Sequence, residues 1–456
     1  MGKLYFETAW LPGGWANGVT VDIGAYGRIA RVAAGTQPSP DTSRHAIGLP
    51  GMPNLHSHAF QRGMAGLAEV AGETADTFWT WRQVMYRFLD HLTPDDVEAI
   101  AAQLYVEMLQ AGYTSVAEFH YLHHAPDGAP YADPAEMAAR IAAAADQSGI
   151  GLTLLPVLYA QGGFGGQPLE ARQRRFASRH IDEFAALLEG ARRHVTGLAH
   201  AQAGVAPHSL RAVTPEDLAG AIGLAGTGPI HIHAAEQTKE VDDCLAWSGQ
   251  RPVEWLLAHA AIDARWCLIH ATHMTPTEVT ALAGSGAVAG LCPQTESNLG
   301  DGIFDGAGYL SASGRFGIGG DSHIRVDVAE ELRTLENSQR LRDRRRNVLG
   351  LTGKSTGARL YGEALRGGAQ ALARTCGALA EGQLADIIAL DANSPVLAGR
   401  SGDRLIDSWV FAGDGRCVDA VWVAGKQVVA EGRHTAREAV AARFRKAMQR
   451  LLMVTA

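Results

Sequence analysis

Apolar and polar positions change their period twice along the chain. Up to about residue 45 they alternate in short runs, LYFETAWL, NGVTVDIG and GRIARVAAG, which read as strands joined by turns. The same texture returns near the other end in ADIIALD and DAVWVAGKQVVAEGRH. Chain ends often lie close together, so these two groups are expected to pair into one small β domain. Between them, short apolar runs alternate with longer helical patterns, the signature of a parallel sheet. Eight runs are candidate strands: Ile47 to Leu55, Thr114 to Phe119, Gly151 to Tyr159, Gly204 to Pro207, Pro229 to Ile232, Trp266 to Ile269, Ala287 to Leu291 and Arg315 to Gly319. Asp95 to Ala111, Pro134 to Ser148 and Pro215 to Ala225 carry amphipathic helical spacing between them. Eight such units predict an α/β fold, a (β/α)8 TIM-like barrel. The fourth run is the least strand-like, because residues 199–206 are mostly small. The expected division is 1–48 for the first part of the small β domain and 49–375 for the barrel. Residues 376–456 then complete the small domain and add a terminal amphipathic helix packed on the body.

The 456 residues are 46% hydrophobic and 19% charged, enough to bury a large core. A net charge of −8 offers no general attraction for nucleic acid or an anionic membrane. The N-terminal MGKLYFETAWLPGGW lacks the apolar centre of a signal peptide. Runs such as Gly151 to Ala160 fall far short of the roughly 20 residues that span a bilayer. The expectation is a cytoplasmic protein with a small-molecule partner. The five cysteines are scattered with no CxxC pair and read as buried, reduced thiols. Histidine is the unusual residue: there are 18, several spaced two or three apart.

Those histidines fall where the chemistry of such a barrel gathers, at the C-terminal ends of the strands. The first strand ends in His56-Ser-His58; residues two apart on a strand share a face, so both imidazoles aim into the mouth. The fifth carries His231, His233 and then Glu236. His231 lies deeper and reads as a hydrogen-bonded core residue, leaving His233 as the third nitrogen ligand. The sixth ends in His270 and the eighth in Asp321, whose bland alternative is a helix N-cap. The set is His56, His58, His233 and Asp321 as metal ligands, with Glu236 and His270 beside them.

These residues sit in PGMPNLHSHAF, HIHAAEQ, LIHATH and GIGGDSH, in an order that resembles the amidohydrolase superfamily. ALAEGQLADIIALD and VDAVWVAGKQVVAEG resemble its C-terminal signature, and the terminal pieces resemble its composite β-sandwich. Two-metal members use a carboxylated lysine at the end of strand four; here no lysine lies between Lys3 and Lys239, so the resemblance implies one ion. Zinc suits three imidazoles and a carboxylate, with iron as the alternative. GMPNLHSHAFQRGMAGLAEVAG, FWTWR, AGYTSVAEFHYLHH, HSLRAVTP and EVDDCLAWSGQRPVEWL resemble one branch, the N-formimidoyl-L-glutamate iminohydrolases of histidine degradation. That resemblance implies substrate contacts at Gln61, Tyr121, His208 and Arg211 and, by analogy with relatives, a homodimer. It also implies proton transfer by Asp321, His270 and Glu236. Arg211 offers a planar fork for a carboxylate, and Arg82 is a second candidate. The rival readings are a deaminase of guanine-, cytosine- or aminotriazine-like rings, and a non-catalytic scaffold.

Overall fold

The computed structural model describes residues 2–40, 42–73 and 75–455. The two ends of the chain do meet. Eight of their strands form one mixed sheet, in the order Arg433–His434, Lys426–Ala430, Val418–Val423, Ile387–Leu390, Ser43–Pro50, Lys3–Leu11, Gly14–Ile23 and Ile29–Ala33. Its one parallel pair joins Lys3–Leu11 to Ser43–Pro50. Alternation along each strand divides the side chains between two cores: Ile387 and Ala389 pack with Phe6, Val19 and Trp422, whereas Ile388 and Leu390 belong to the main core. The strands of both chain ends share a small core of their own on one side of this sheet and pack on the main core on the other.

The middle of the chain supplies two parallel sheets. Met52–Ser57, Tyr113–His120, Gly151–Leu158 and Gln202–Ala203 form one; Ala206–Pro207 pairs separately with Gly151–Leu158. Ile230–Ala234, Trp266–His270, Val288–Leu291 and Arg315–Ile318 form the other. Order in space follows order in the chain, as consecutive strand–helix units require. Isolated parallel bridges join the sheets at both edges: Val205 with Ile230 and Ser209 with His233 on one side, Ser57 with Asp321 on the other. The fourth strand is broken at Gly204 and Val205, where the chain runs close to its neighbour. A Cβ on Gly204 would lie 2.5 Å from the Pro229 carbonyl oxygen.

The predicted strand Ile47 to Leu55 is two strands in two different sheets, Ser43–Pro50 and Met52–Ser57. Gly51 makes the crossing. A Cβ there would lie 2.1 Å from Thr114 Cγ2, so only glycine lets the chain turn from one sheet into the other at this contact. Three helices begin on a Thr-Pro-x-acid pattern: Pro94–Gln110 after Thr93, Pro215–Ala225 after Thr214 and Pro276–Ser285 after Thr275. In each, the threonine hydroxyl accepts the N3 amide while the acidic side chain at N3 (Asp96, Asp217, Glu278) accepts the threonine amide, and proline fills N1 without losing a bond. The last helix, Arg437–Thr455, lies on Pro94–Gln110, with Arg443 bonded to Glu98 at 2.7 Å and Arg450 bonded to Asp96. No helix among the described residues is long and apolar enough to cross a membrane.

Close packing of the helix Thr356–Ala371 on the eighth parallel strand rests on Gly367, where a Cβ would meet the Phe316 carbonyl oxygen at 1.9 Å. Gly367→Ala is expected to destabilise the fold by about 1–3 kcal/mol. Gly284→Ala, in an exposed helical position with open space around it, is expected to stabilise by about 0.5–1 kcal/mol. Denaturant midpoints of the two variants check the pair of signs.

Candidate active site

The ends of the first, fifth and eighth parallel strands bring four donor atoms to one place. His56 Nε2 lies 3.2 Å from His58 Nε2 and 3.1 Å from His233 Nε2. Asp321 Oδ1 lies 3.4 Å from His56 Nε2 and 3.2 Å from His58 Nε2. All four residues are buried. Two of the rings have their polarity fixed from behind: His58 Nδ1 donates to the Phe119 carbonyl at 2.8 Å, and His233 Nδ1 to the His208 carbonyl at 3.0 Å. Each therefore presents a bare Nε2 lone pair forward. At most one of the two close Nε2–Nε2 contacts can then be a hydrogen bond, and nothing shares a proton between His58 Nε2 and Asp321. Burial lowers the pKa of His56, His58 and His233, which keeps the imidazoles neutral.

Converging lone pairs repel unless a cation sits among them. For bonds of roughly 2.0–2.1 Å in a tetrahedral site, neighbouring ligand atoms stand roughly 3.3–3.4 Å apart, and the distances here are close to that. The donor set fits one divalent metal ion.

His270 and Glu236 stand beside this set. His270 Nε2 is 3.9 Å from Asp321 Oδ2 and 3.8 Å from Glu236 Oε1. Its Nδ1 faces Glu296 Oε1 at 3.2 Å, a partner with no signal in the linear sequence. Glu296 lies in the first turn of the helix Pro293–Leu299 and also accepts the Cys292 amide at 2.8 Å, so helix capping and imidazole orientation share one carboxylate. Burial alone would lower His270, but Glu236, Glu296 and Asp321 outweigh it and push it up to about 10. A cation held by Asp321 works against that rise. Glu236 is raised by burial and pulled back by His270 and Arg211, whose Nη2 lies 3.7 Å from its Oε2. The amides of Ala235 and Glu236 both donate to the Glu240 carboxylate at 3.1 Å, a second support that sequence spacing did not reveal. Ala235, His270, Ala271, Asp321 and His323 all take positive φ, between 48° and 67°. Left-handed backbone at so many non-glycine residues is strained, and here it gathers around one site.

A cleft opens over the donors, lined by His58, Gln61, Phe78, Trp81, Arg82, Met85, Tyr121, Tyr159, Phe176, His208, Arg211, His233, Glu236, His270, Leu299 and Asp321. Every substrate-contact candidate from the sequence is in it. Gln61 Nε2 donates to the Tyr121 hydroxyl at 2.7 Å, while its Oε1 is buried with no partner among the described residues. His208 Nδ1 faces Ser209 Oγ at 3.0 Å, and burial, then Arg211 and Arg82, hold it neutral. Arg211 lies over the Trp79 ring at 5.7 Å. Arg82 lies over Trp79 and Tyr86 and donates to the Tyr159 hydroxyl at 3.1 Å. Tyr159, at the end of an apolar run, carried no motif and went unnoticed in the sequence.

Other histidines have structural partners. His231 Nε2 bonds the Ala371 carbonyl at 2.8 Å, away from the donors as its depth suggested. His123, His124 and His273 bond the carbonyls of Val157, Ala177 and Asp301. His323 reaches Ser57 Oγ at 2.9 Å. All five cysteines are free and buried.

Residues 47–428 match the family model described as the amidohydrolase family. A formimidoylglutamate deiminase of Pseudomonas aeruginosa is 53% identical over 99% of this chain and 100% of its own length. An 8-oxoguanine deaminase of the same organism is 28% identical over 91% of this chain and 90% of its own. Among solved structures, an amidohydrolase from Brucella melitensis superposes with a TM-score of 0.95 at 49% identity, covering 99% of this chain and 100% of that one. An adenosine deaminase from Xanthomonas campestris with bound zinc shares the fold at a TM-score of 0.82 and 21% identity, over 99% and 98% of the two chains. The chain belongs to the amidohydrolase family.

Proposed function

We propose that the protein hydrolyses N-formimidoyl-L-glutamate to N-formyl-L-glutamate and ammonia, a step of histidine degradation. The observation that carries this reading is that three of the four donors, His58, His233 and Asp321, share one cleft with two guanidinium groups, Arg82 and Arg211, in a protein whose net charge is −8. Local cations of this kind suit a substrate with two carboxylates at one end and an amidine at the other. Full-length likeness to the Pseudomonas aeruginosa deiminase supports the same substrate. The reading carries with it a cytoplasmic homodimer and two parallel sheets closing as a (β/α)8 barrel. It also carries the division 1–48, 49–375 and 376–456, with the terminal pieces as the small β domain.

His56, His58, His233 and Asp321 would hold one zinc ion, or iron with the same ligands. When bound, the ion supplies Lewis acidity at the reacting centre. Arg211, His208, Gln61 and Tyr121 bind the carboxylate end and orient the formimidoyl carbon towards the donors. Phe78, Trp81, Met85, Phe176 and Leu299 exclude bulk water from the cleft. Asp321 Oδ2 takes a proton from the attacking water, and His270 Nε2–H stabilises the oxygen as it bonds to carbon. Glu236 carries that proton to the departing nitrogen; a second proton leaves the oxygen on carbon as it becomes the formyl carbonyl and passes by the same carboxylate to the nitrogen, so that the C–N bond breaks and ammonia leaves. Arg211, 3.7 Å from Glu236, ties carboxylate binding to the proton carrier.

Ammonia release from N-formimidoyl-L-glutamate is expected, lost on chelation and restored by zinc, with guanine and cytosine inert. Turnover of a ring compound instead would keep the metal set and overturn the carboxylate reading. Glu236→Gln is expected to lower kcat by roughly 10²–10⁴-fold while substrate still binds. Arg211→Ala is expected to raise KM more than it lowers kcat, and steady-state kinetics separates the two effects.

A further inference from the structure

Behind the four donors lies a set of buried polar groups that the proposed reaction does not use. Glu118, near the end of the strand Tyr113–His120, is buried. Its Oε1 accepts the Ala59 amide at 2.7 Å; its Oε2 accepts the Ser57 hydroxyl at 2.6 Å and the Tyr105 hydroxyl at 3.0 Å. Ser57 and Ala59 flank His58, and Ser57 also separates it from His56. With its one proton given to Glu118, Ser57 Oγ is left to accept from His323 Nε2, 2.9 Å away. His323 follows Asp321 by two residues, in left-handed backbone with φ of 57°. The chain of donors therefore runs one way, from His323 through Ser57 to the carboxylate of Glu118. It spans the edge where Ser57 and Asp321 form a single bridge and the His58 amide donates to the Asp321 carbonyl at 3.1 Å.

We propose that Glu118 is a positioning residue for the metal centre: through Ser57 and His323 it locks the His56–Ser57–His58 segment to the Asp321 loop and so sets the spacing of three of the four donors. The inference rests on reading His56, His58, His233 and Asp321 as the ligands. A carboxylate retained only to satisfy its own strand would bond that strand. The three hydrogen bonds of Glu118 instead go to the two neighbours of His58 and to a tyrosine on the helix Pro94–Gln110. An ionised carboxylate can accept all three donors at once. A glutamine in its place keeps one accepting oxygen and turns an NH2 group on its other partners, which reverses the direction of the Ser57–His323 link.

The test is zinc affinity, measured by competition with a chromophoric chelator, alongside the thermal midpoint of the metal-free protein. Glu118→Gln is expected to bind zinc about 10–100-fold more weakly, the usual effect of losing an outer-shell partner, with little change in the metal-free midpoint. Tyr105→Phe removes one donor from the same carboxylate but leaves the Ser57 link, and is expected to bind zinc as the unaltered protein does. Asp321→Asn is the reference for loss of a ligand. Zinc affinity unchanged in Glu118→Gln but lost in Asp321→Asn overturns the role of Glu118. Zinc affinity unchanged in Asp321→Asn overturns the ligand reading itself. Where Glu118→Gln does not fold, Ser57→Ala breaks the same link while leaving the Ala59 and Tyr105 bonds, and unchanged zinc affinity there also overturns the proposal.

Discussion

Four lone pairs aimed at one point inside a protein are electrostatically unfavourable, and the rest of this structure is arranged to hold them there. His56, His58, His233 and Asp321 approach within 3.1–3.4 Å in the measured pairs. A hydrogen on His56 Nε2 can relieve only one of these contacts; the remaining lone pairs repel, and burial removes the water that would shield them. Backbone carbonyls fix the ring faces of His58 and His233, and parallel strands fix the approach of the Cα atoms. The left-handed backbone at Asp321 and His323 absorbs the turn that brings the last donor inward. A divalent cation among them would turn this repulsion into attraction, so that a site costly without metal would be a strong one with it.

Around that centre, charge alternates. Arg211, Glu236, His270 and Glu296 form a string with neighbouring separations of 3.7, 3.8 and 3.2 Å. Each buried charge has an opposite neighbour, so none is left uncompensated. The string begins at a guanidinium in the cleft and ends at the opening of a helix. In the proposed reaction Arg211 would act at both ends, as a carboxylate partner and as a neighbour of Glu236. Glu236 is further steadied from below, where Glu240 accepts two consecutive amides and holds the turn after the fifth strand.

The eight-stranded terminal sheet bears on the site through Gly51. The chain leaves that sheet at Pro50 and enters the first parallel strand at Met52, six residues before His58 completes the first ligand pair. Tyr361 bonds the Pro50 carbonyl, and the Gly51 amide bonds the Asp386 carbonyl at 2.9 Å, so the entry point is held from the helix Thr356–Ala371 and from the C-terminal part of the sheet. Residues far apart in sequence thereby fix where the first strand begins.

The sequence by itself determined the order of strands and helices, the pairing of the two termini, and which histidines and acids, His56, His58, His233, Asp321, Glu236 and His270, would gather at the strand ends. It could do so because strand period and strand-end position are local properties: HxH on a strand puts two rings on one face whatever surrounds it. His231 was separable from His233 on depth alone. Tertiary structure decided the rest. The run from Ile47 to Leu55 looks continuous because apolar residues fill both of its halves, and only the contact between Gly51 and Thr114 divides it between two sheets. Glu118, Glu240 and Glu296 look like ordinary acidic residues on strands and helices; their partners lie on other elements, and no linear spacing encodes those distances. Tyr159 and Arg82 meet across the cleft for the same reason. Periodicity reports which way a side chain faces, whereas the charge or hydrogen it meets there is set by how separate elements pack.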